Sequence, residues 1–268
     1  MSAPRFTDAN YLARQYGDAG NLNARVELHA RFSTNAYGWY RWLMDQYDLP
    51  AECHILELGC GPAGLWQRHA ERVPAGWRLT LSDLSPGMVR QARLNLAESG
   101  LNRSLLTVDA QAIPFPDGWF DVVIANHMLY HVSDQRRALA EMQRVLAPGG
   151  RFFASTIGSK HLVELSTLVH HHDETQANWG AGTVVSFDLD HGAERLEPWF
   201  VDIEMRRYDD ELRVTDAQLL ADYVFSDIPW DAETRQAFVR LVQEELSRQG
   251  GCMRIQKDSG LFVARRAA

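Results

Sequence analysis

Cysteine is scarce in this chain: Cys53, Cys60 and Cys252 are the only three in 268 residues. An odd set with no C-x-x-C spacing argues against a disulfide framework and against a thiolate zinc site. An excess of basic charge is missing too. The formal net charge is -8, which argues against tight, non-specific binding to nucleic acid phosphates. No run approaches the ~20 apolar residues of a membrane span. The opening MSAPRFTDAN lacks the basic-then-apolar pattern of a signal peptide. Internal repeats and low-complexity tracts are absent. What remains is 46% hydrophobic and 23% charged, an ordinary globular balance in a chain long enough to bury a large core without staples. The expectation is a reduced, cytoplasmic, globular protein with no nucleic acid or membrane partner and no metal site.

The first 50 residues are rich in Tyr, Asn, Arg and Trp, with helical stretches at Asn23–Arg31 and Tyr37–Tyr47 before Pro50 breaks the chain. From His54 onward the pattern becomes strand, turn, helix, repeated. Strands are expected at His54–Leu58, Arg78–Ser82, Leu105–Val108, Phe120–Ala125 and Arg151–Ile157. Leu65–Arg72 reads as a helix. Ser85, followed by Pro86, caps another, and Ser133 or Asp134 a third. Pro148-Gly149-Gly150 reads as a turn. Short apolar strands alternating with helices imply a parallel sheet covered on both faces. After Ile157 come a His-rich helix, a loop with Gly180 and Gly182, a helix at Asp190–Trp199, a strand at Val201–Tyr208 and helices at 216–225 and 231–248. Met253–Lys257 and Leu261–Arg265, joined by Asp258-Ser259-Gly260, read as a terminal β-hairpin.

Between the first strand and first helix lies Glu57-Leu58-Gly59-Cys60-Gly61-Pro62-Ala63-Gly64. Glycines at this junction let a ligand approach the backbone, and the helix behind them offers unpaired amides. Asp83 ends the second strand, 19 residues after Gly64, where a carboxylate accepts hydrogen bonds from a ribose diol. Both features also describe a nicotinamide dinucleotide site. A tight turn that binds nothing is the plain structural alternative. Two residues favour a different cofactor. Glu57, inside the strand end, is ill suited to a pyrophosphate but suits a ligand with a sulfonium and an α-amino group. Asp109, ending the third strand, is placed to accept from an adenine amino group beside Leu84 and Ala110; its plain alternative is a helix cap.

Four blocks then carry a resemblance: Ile55-Leu56-Glu57-Leu58-Gly59-Cys60-Gly61, Leu81-Ser82-Asp83-Leu84-Ser85-Pro86-Gly87-Met88, Asp109-Ala110-Gln111-Ala112-Ile113-Pro114-Phe115-Pro116-Asp117, and Val145-Leu146-Ala147-Pro148-Gly149-Gly150-Arg151. In order and spacing, residues 50–157 resemble the class I methyltransferases, in the style of the ubiquinone/menaquinone-biosynthesis enzymes. The resemblance implies an S-adenosylmethionine site. Gly59, Cys60 and Gly61 would line the methionine part, with Glu57 beside it. Asp83 would hold the ribose, Leu84 and Met88 would lie near the adenine, and Asp109 and Ala110 at its edge. Asn126 and His127 would lie beside the methionine moiety. It also implies an α/β fold with a Rossmann-like, seven-stranded, mostly parallel sheet and a reversed C-terminal strand. Where such families often carry a third glycine this chain has Ala63, expected to fit the turn with negative φ.

Methyl transfer from a sulfonium leaves the protein positioning and electrostatics. A general base is needed only if the small-molecule acceptor must lose a proton. His127, Tyr130 and His131 are the catalytic candidates. Relatives that place a His pair here use one as a base; this chain has Tyr130-His131 instead, and a structural role for His131 is the plainer reading. His170-His171-His172-Asp173-Glu174 invites a metal reading, but consecutive helical histidines point apart. Residues 158–200 and 215–250 are expected to cap the acceptor side, with Trp179, Phe187, Trp199, Tyr223, Phe225 and Trp230 as pocket or core aromatics. Residues 1–49, with Tyr11, Tyr16, Arg25, His29 and Arg31, are expected to form a helical lid in which Tyr16 contacts the cofactor. Residues 201–214 and 251–268 complete the sheet of one methyltransferase domain spanning 1–268. The alternatives are an NAD(P)-dependent oxidoreductase, for which no Tyr-x-x-x-Lys pattern is present, and a cofactor-binding subunit without turnover.

Overall fold

A computed structural model describes residues 7–16, 20–176, 179–180 and 186–268. Gly182 of the expected glycine-rich loop lies outside the described residues, as do the first six residues. The strands are β1 (Glu52–Leu58), β2 (Gly76–Asp83), β3 (Arg103–Thr107), β4 (Phe120–Asn126), β5 (Leu146–Ile157), β6 (Val201–Tyr208), β7 (Glu211–Val214), β8 (Met253–Gln256) and β9 (Ser259–Arg265). Seven of them form one sheet in the order β3-β2-β1-β4-β5-β9-β6. The first five are mutually parallel, and β9 runs antiparallel to both neighbours. Alternate residues bury on opposite faces. Leu56, Val123, Phe152 and Phe262 enter one apolar core, while Ile55, Val122, Phe153 and Leu261 enter the other. The expected parallel sheet covered on both faces is therefore present.

The helices are α1 (Ala9–Tyr16), α2 (Gly20–Phe32), α3 (Trp39–Gln46), α4 (Gly64–Arg68), α5 (Pro86–Asn95), α6 (Gln135–Val145), α7 (Val163–His172), α8 (Gly192–Leu196), α9 (Ala217–Phe225) and α10 (Ala232–Arg248). Ser85 caps α5 by accepting from the Met88 N–H, and Asp134 rather than Ser133 caps α6. A third core joins α2, α7, α9 and α10 to β7 and β8 through Leu28, Val169, Leu220, Phe238, Leu212 and Ile255. No helix among the described residues is long and apolar enough to cross a membrane.

Two local expectations are corrected. Pro148-Gly149-Gly150 lies within β5, where the pairing register jumps between Phe120 opposite Leu146 and Val122 opposite Arg151. The would-be turn is a bulge in a strand. The C-terminal hairpin does not form either: β8 pairs with β7 in a separate two-stranded sheet, and β9 enters the main sheet between β5 and β6. The registers explain this. Tyr208 faces Ser259 and Glu211 faces Gln256, so β6–β7 and β8–β9 are two halves of one antiparallel ribbon in continuous register. The ribbon bends at Asp210 and Lys257, which face each other as a buried ion pair. That bend sits at the carboxyl edge of the main sheet.

Candidate active site

A cavity of about 1390 Å³ runs along the carboxyl edge of the sheet. A site for one drug-sized ligand spans roughly 300–1,000 Å³, so this one has room for two. Open α/β sheets bind ligands at this edge, where the strand order reverses. Here the reversal falls between β1 and β4. The lining order follows the sheet: Asp109 beyond β3, Asp83 on β2, Glu57 on β1, Asn126-His127 at β4, Gly158 and His161 beyond β5, and Lys257 before β9.

Glu57 is buried at the end of β1. Its Oε2 accepts from the Trp66 indole N–H at 2.5 Å, and its Oε1 from Asn126 Nδ2 at 3.1 Å. Burial pushes its pKa up to about 7 against those two hydrogen bonds. Asn126 Nδ2 also donates to the Tyr47 hydroxyl at 3.0 Å. Its Oδ1 is buried with no partner among the described residues. A buried acceptor without a donor is costly, so this oxygen beside Glu57 fits a ligand N–H or ammonium group.

Asp83 is anchored by two backbone amides. Gly61 N–H donates to Oδ2 at 2.9 Å and Ser85 N–H to Oδ1 at 2.8 Å. Burial still raises its pKa. A carboxylate has about four lone-pair sites, so this one is oriented and keeps capacity for a diol. Leu84 beside it is 57% exposed, an apolar wall in an otherwise polar corner. Met88 does not join it: it is fully buried in α5 and absent from the cavity lining. Asp109 accepts from the Gln111 N–H at 2.8 Å. It therefore shapes its own turn, as the plain alternative had it, while lining the cavity with Ala110.

The glycine loop is held close. A Cβ built on Gly59, whose φ is +71°, would lie 2.6 Å from the Met128 Cβ, so no larger residue fits without movement. The expectation for Ala63 is overturned: its φ of 60° and ψ of 35° are left-handed. An L-residue pays roughly 1–2 kcal/mol there, and the alanine is retained with its methyl fully packed. Cys60 lines the cavity, but burial, then Glu57 and Asp83, push its thiol well up. It is a wall and no thiolate nucleophile.

Beyond β4, His127 also adopts a positive φ of 49°. Its N–H donates to the Ser155 carbonyl at 3.0 Å, and its ring lies 5.3 Å from that of Trp39. Burial, then Lys257 and His131, lower its pKa to about 4, leaving a neutral, weakly basic imidazole. Burial raises Tyr130 well above the ordinary tyrosine value, which disfavours a phenolate. His131 Nε2 is hydrogen-bonded to the Tyr16 hydroxyl at 2.9 Å, and the Tyr16 carbonyl accepts from Ser85 Oγ at 2.7 Å. Tyr16 thus lines the cavity and pins α1 to the loops after β2 and β4.

Other expectations sort by burial. Tyr11, Arg25, His29, Trp179 and Tyr223 line the cavity, while Phe187, Trp199, Phe225 and Trp230 pack in the cores. Arg31 is outside the lining and pairs with Asp216. His170 Nε2 bonds the Trp179 carbonyl and His172 Nε2 the Thr234 carbonyl, in different neighbourhoods. Sequence reasoning missed Trp39, Tyr47, Trp66, His161 and Lys257. None stands in a recognisable motif, and only tertiary folding brings them to the edge.

The strand order and anchored carboxylates define a Rossmann-like α/β fold with a cofactor-binding edge. Comparison with known proteins sharpens this. Residues 56–154 match the methyltransferase domain family. A ubiquinone/menaquinone biosynthesis C-methyltransferase of Pectobacterium carotovorum is 30% identical over 132 residues, 48% of this chain and 53% of the relative. One from Hahella chejuensis is 34% identical over 115 residues, 42% of this chain and 46% of the relative. The chain thus spans about half the length of the relatives it matches. A Haemonchus contortus phosphoethanolamine N-methyltransferase 2 solved with S-adenosylmethionine superposes with a TM-score of 0.59 at 18% identity, over 98% of this chain and 60% of the other. Residues 56–154 are thus similar to the methyltransferase domain, and the fold is one shared with solved methyltransferases.

Proposed function

We propose that this protein binds S-adenosylmethionine at the β1–β2–β3 end of the edge and methylates a small molecule held at the β4–β5–β9 end. The observation that carries the reading is the Glu57–Asn126 pair, a buried carboxylate beside a buried carbonyl oxygen without a donor. That combination suits the amino group of the cofactor and would repel a pyrophosphate. Asp83 holds the ribose hydroxyls, Leu84 covers one face of the adenine, and Asp109 with Ala110 borders its edge. Gly59, Cys60 and Gly61 admit the methionine part, and Tyr16 closes over it.

When bound, the cofactor supplies an electrophilic methyl group on a sulfonium, transferred to the acceptor by in-line displacement. The chain's own contribution is position. Well-oriented reactants gain about 7–11 kcal/mol over free encounter. His127 is neutral, so it donates or accepts a hydrogen bond to hold the acceptor; so weak a base takes little part in deprotonation at neutral pH. Tyr130 packs as a wall, and His131 positions Tyr16. An acceptor with an available lone pair fits this arrangement.

Calorimetric titration with S-adenosylhomocysteine tests the reading, with NADH in parallel and Asp83→Ala as the variant. The expected result is saturable binding of S-adenosylhomocysteine alone, lost in Asp83→Ala. Binding of NADH in its place, or of neither ligand, would overturn the assignment.

A further inference from the structure

The cavity edge is electrically polar. At the strand ends over β3, β2 and β1 the charged groups are carboxylates, Asp109, Asp83 and Glu57, with Arg68 and Arg90 entering the lining from α4 and α5. At the ends of β4, β5 and β9 the strand-end groups are bases, His127, His161 and Lys257, with His29 entering from α2, while Asp227 lines the cavity from beyond α9. Neighbouring strands are roughly 4.8 Å apart, so the basic group begins one strand from Glu57 and extends two further.

The basic end is a built arrangement. The ribbon bend sets Lys257 opposite Asp210, and both side chains are almost wholly removed from solvent. Asp210 also accepts from Ser33 Oγ at 2.6 Å and from the Asn35 N–H at 3.0 Å. That shell fixes the carboxylate behind Lys257 and leaves the ammonium donors to spare, since an ammonium has three. The Asp258 N–H donates to His161 Nδ1 at 3.2 Å. Nδ1 is therefore the unprotonated nitrogen, and His161 carries its proton on Nε2. His29 lies 6.1 Å from His161, ring to ring, and its Nδ1 is buried with no partner among the described residues. Burial and Lys257 together push His161 down to about 3 and hold His29 well below its ordinary value. Three neutral imidazoles around an ammonium whose charge Asp210 balances offer N–H donors to an anionic oxygen. Trp39, Leu162 and Tyr223 supply apolar wall alongside.

We propose, resting on the methyltransferase reading above, that the methyl acceptor is a small organic acid. Its apolar body lies among Trp39, Leu162 and Tyr223, and its anionic oxygen group is bound by Lys257 Nζ and His161 Nε2, with His29 beside them. The charge order along the edge then selects both ligands. The cationic cofactor is drawn to the carboxylates and the anionic acceptor to the bases, so the two meet at His127 with their charged ends turned apart.

The test uses protein saturated with S-adenosylhomocysteine and three probes of one shape: benzoate, benzamide and benzylamine. Binding is read by calorimetry, and the His161 and His29 ring nitrogens are followed by NMR. Benzoate is expected to bind about tenfold or more tighter than either other probe, in line with charge-assisted hydrogen bonds, and to shift the His161 Nε2 resonance. His161→Gln should lower the benzoate preference at least about threefold while leaving S-adenosylhomocysteine affinity unchanged. Lys257→Met combined with Asp210→Asn, which removes the ion pair without stranding a charge, should abolish it. Equal affinities, a preference for benzylamine, no benzoate binding at tens of millimolar, or a preference that survives both variants would each overturn the acid-acceptor inference while bound S-adenosylhomocysteine upholds the cofactor site. Failure of S-adenosylhomocysteine itself to bind would overturn the cofactor reading and this inference with it.

Discussion

Replacing Glu57 with glutamine should make the ligand-free protein more stable and the cofactor complex weaker. Glu57 is almost wholly buried, and its pKa in the fold is about 7 against an ordinary 4.5. A carboxyl whose folded pKa is raised holds its proton to higher pH in the native state than in the unfolded one. Stability therefore falls as pH rises from 4.5 to 7 and stays low above that window. The size is the shift times 1.36 kcal/mol per unit, about 3 kcal/mol. Glutamine removes this penalty and keeps the shape. It accepts from Trp66 through its oxygen, and Asn126 turns its amide so that the unpartnered Oδ1 takes the new N–H. Urea unfolding of both proteins should show a difference near zero at pH 4.5 that grows to about 2–3 kcal/mol at pH 8. S-adenosylhomocysteine should meanwhile bind Glu57→Gln about 10–100-fold more weakly, the loss of one charged hydrogen bond. Wild-type affinity should fall below pH 7 as Glu57 takes up its proton. A variant no more stable at pH 8, or equally stabilised at pH 4.5 and 8, would refute the reasoning.

Gly59→Ala should cost about 2–4 kcal/mol of stability, from left-handed backbone and overpacking together, and should weaken S-adenosylhomocysteine binding. Adding Met128→Ala should not rescue it, because the clash is with the Met128 Cβ that alanine keeps; recovery in the double variant would contradict the geometry. Asp227 accepts from the Tyr11 hydroxyl at 2.7 Å and the Trp179 indole at 2.6 Å, tying α1 to Trp179 and the end of α9. Asp227→Ala should lose about 3 kcal/mol and raise deuterium uptake across Ala9–Tyr16, and unchanged protection there would count against the tie.

What was legible in the sequence was what local pattern determines. The five parallel strands, the Ser85 cap and the strand-end carboxylates follow from short apolar runs ending in glycine or acid, because each is set by its own few residues. The errors fall where a distant partner decides. Met88 shares a block with Asp83, yet helix periodicity turns it into the core. Met253–Lys257 and Leu261–Arg265 look like a hairpin because the turn between them has turn-forming residues. Each strand instead pairs with a segment some fifty residues upstream. Ala63 adopts the backbone of the glycine it replaces because the loop is clamped at both ends, by Asp83 on Gly61 and by α4 behind it.

The same distinction explains why the proposed cofactor half of the site could be read and the proposed acceptor half could not. The residues proposed for the cofactor come from three consecutive strand ends, each carried by a contiguous block. The acceptor half is assembled from α2, the loop after β5, and the bend where β8 passes into β9. Its central residue, Lys257, is meaningful only because it faces Asp210 across a ribbon whose register spans 47 residues of sequence. No motif records that pairing. On the proposed reading, strand-end acids over β3 to β1 and bases over β4 to β9 match a cationic cofactor and an acceptor of opposite charge. A fold shared among many enzymes fixes the first half; on the proposed reading the ribbon bend sets the second, and so specificity should be sought there.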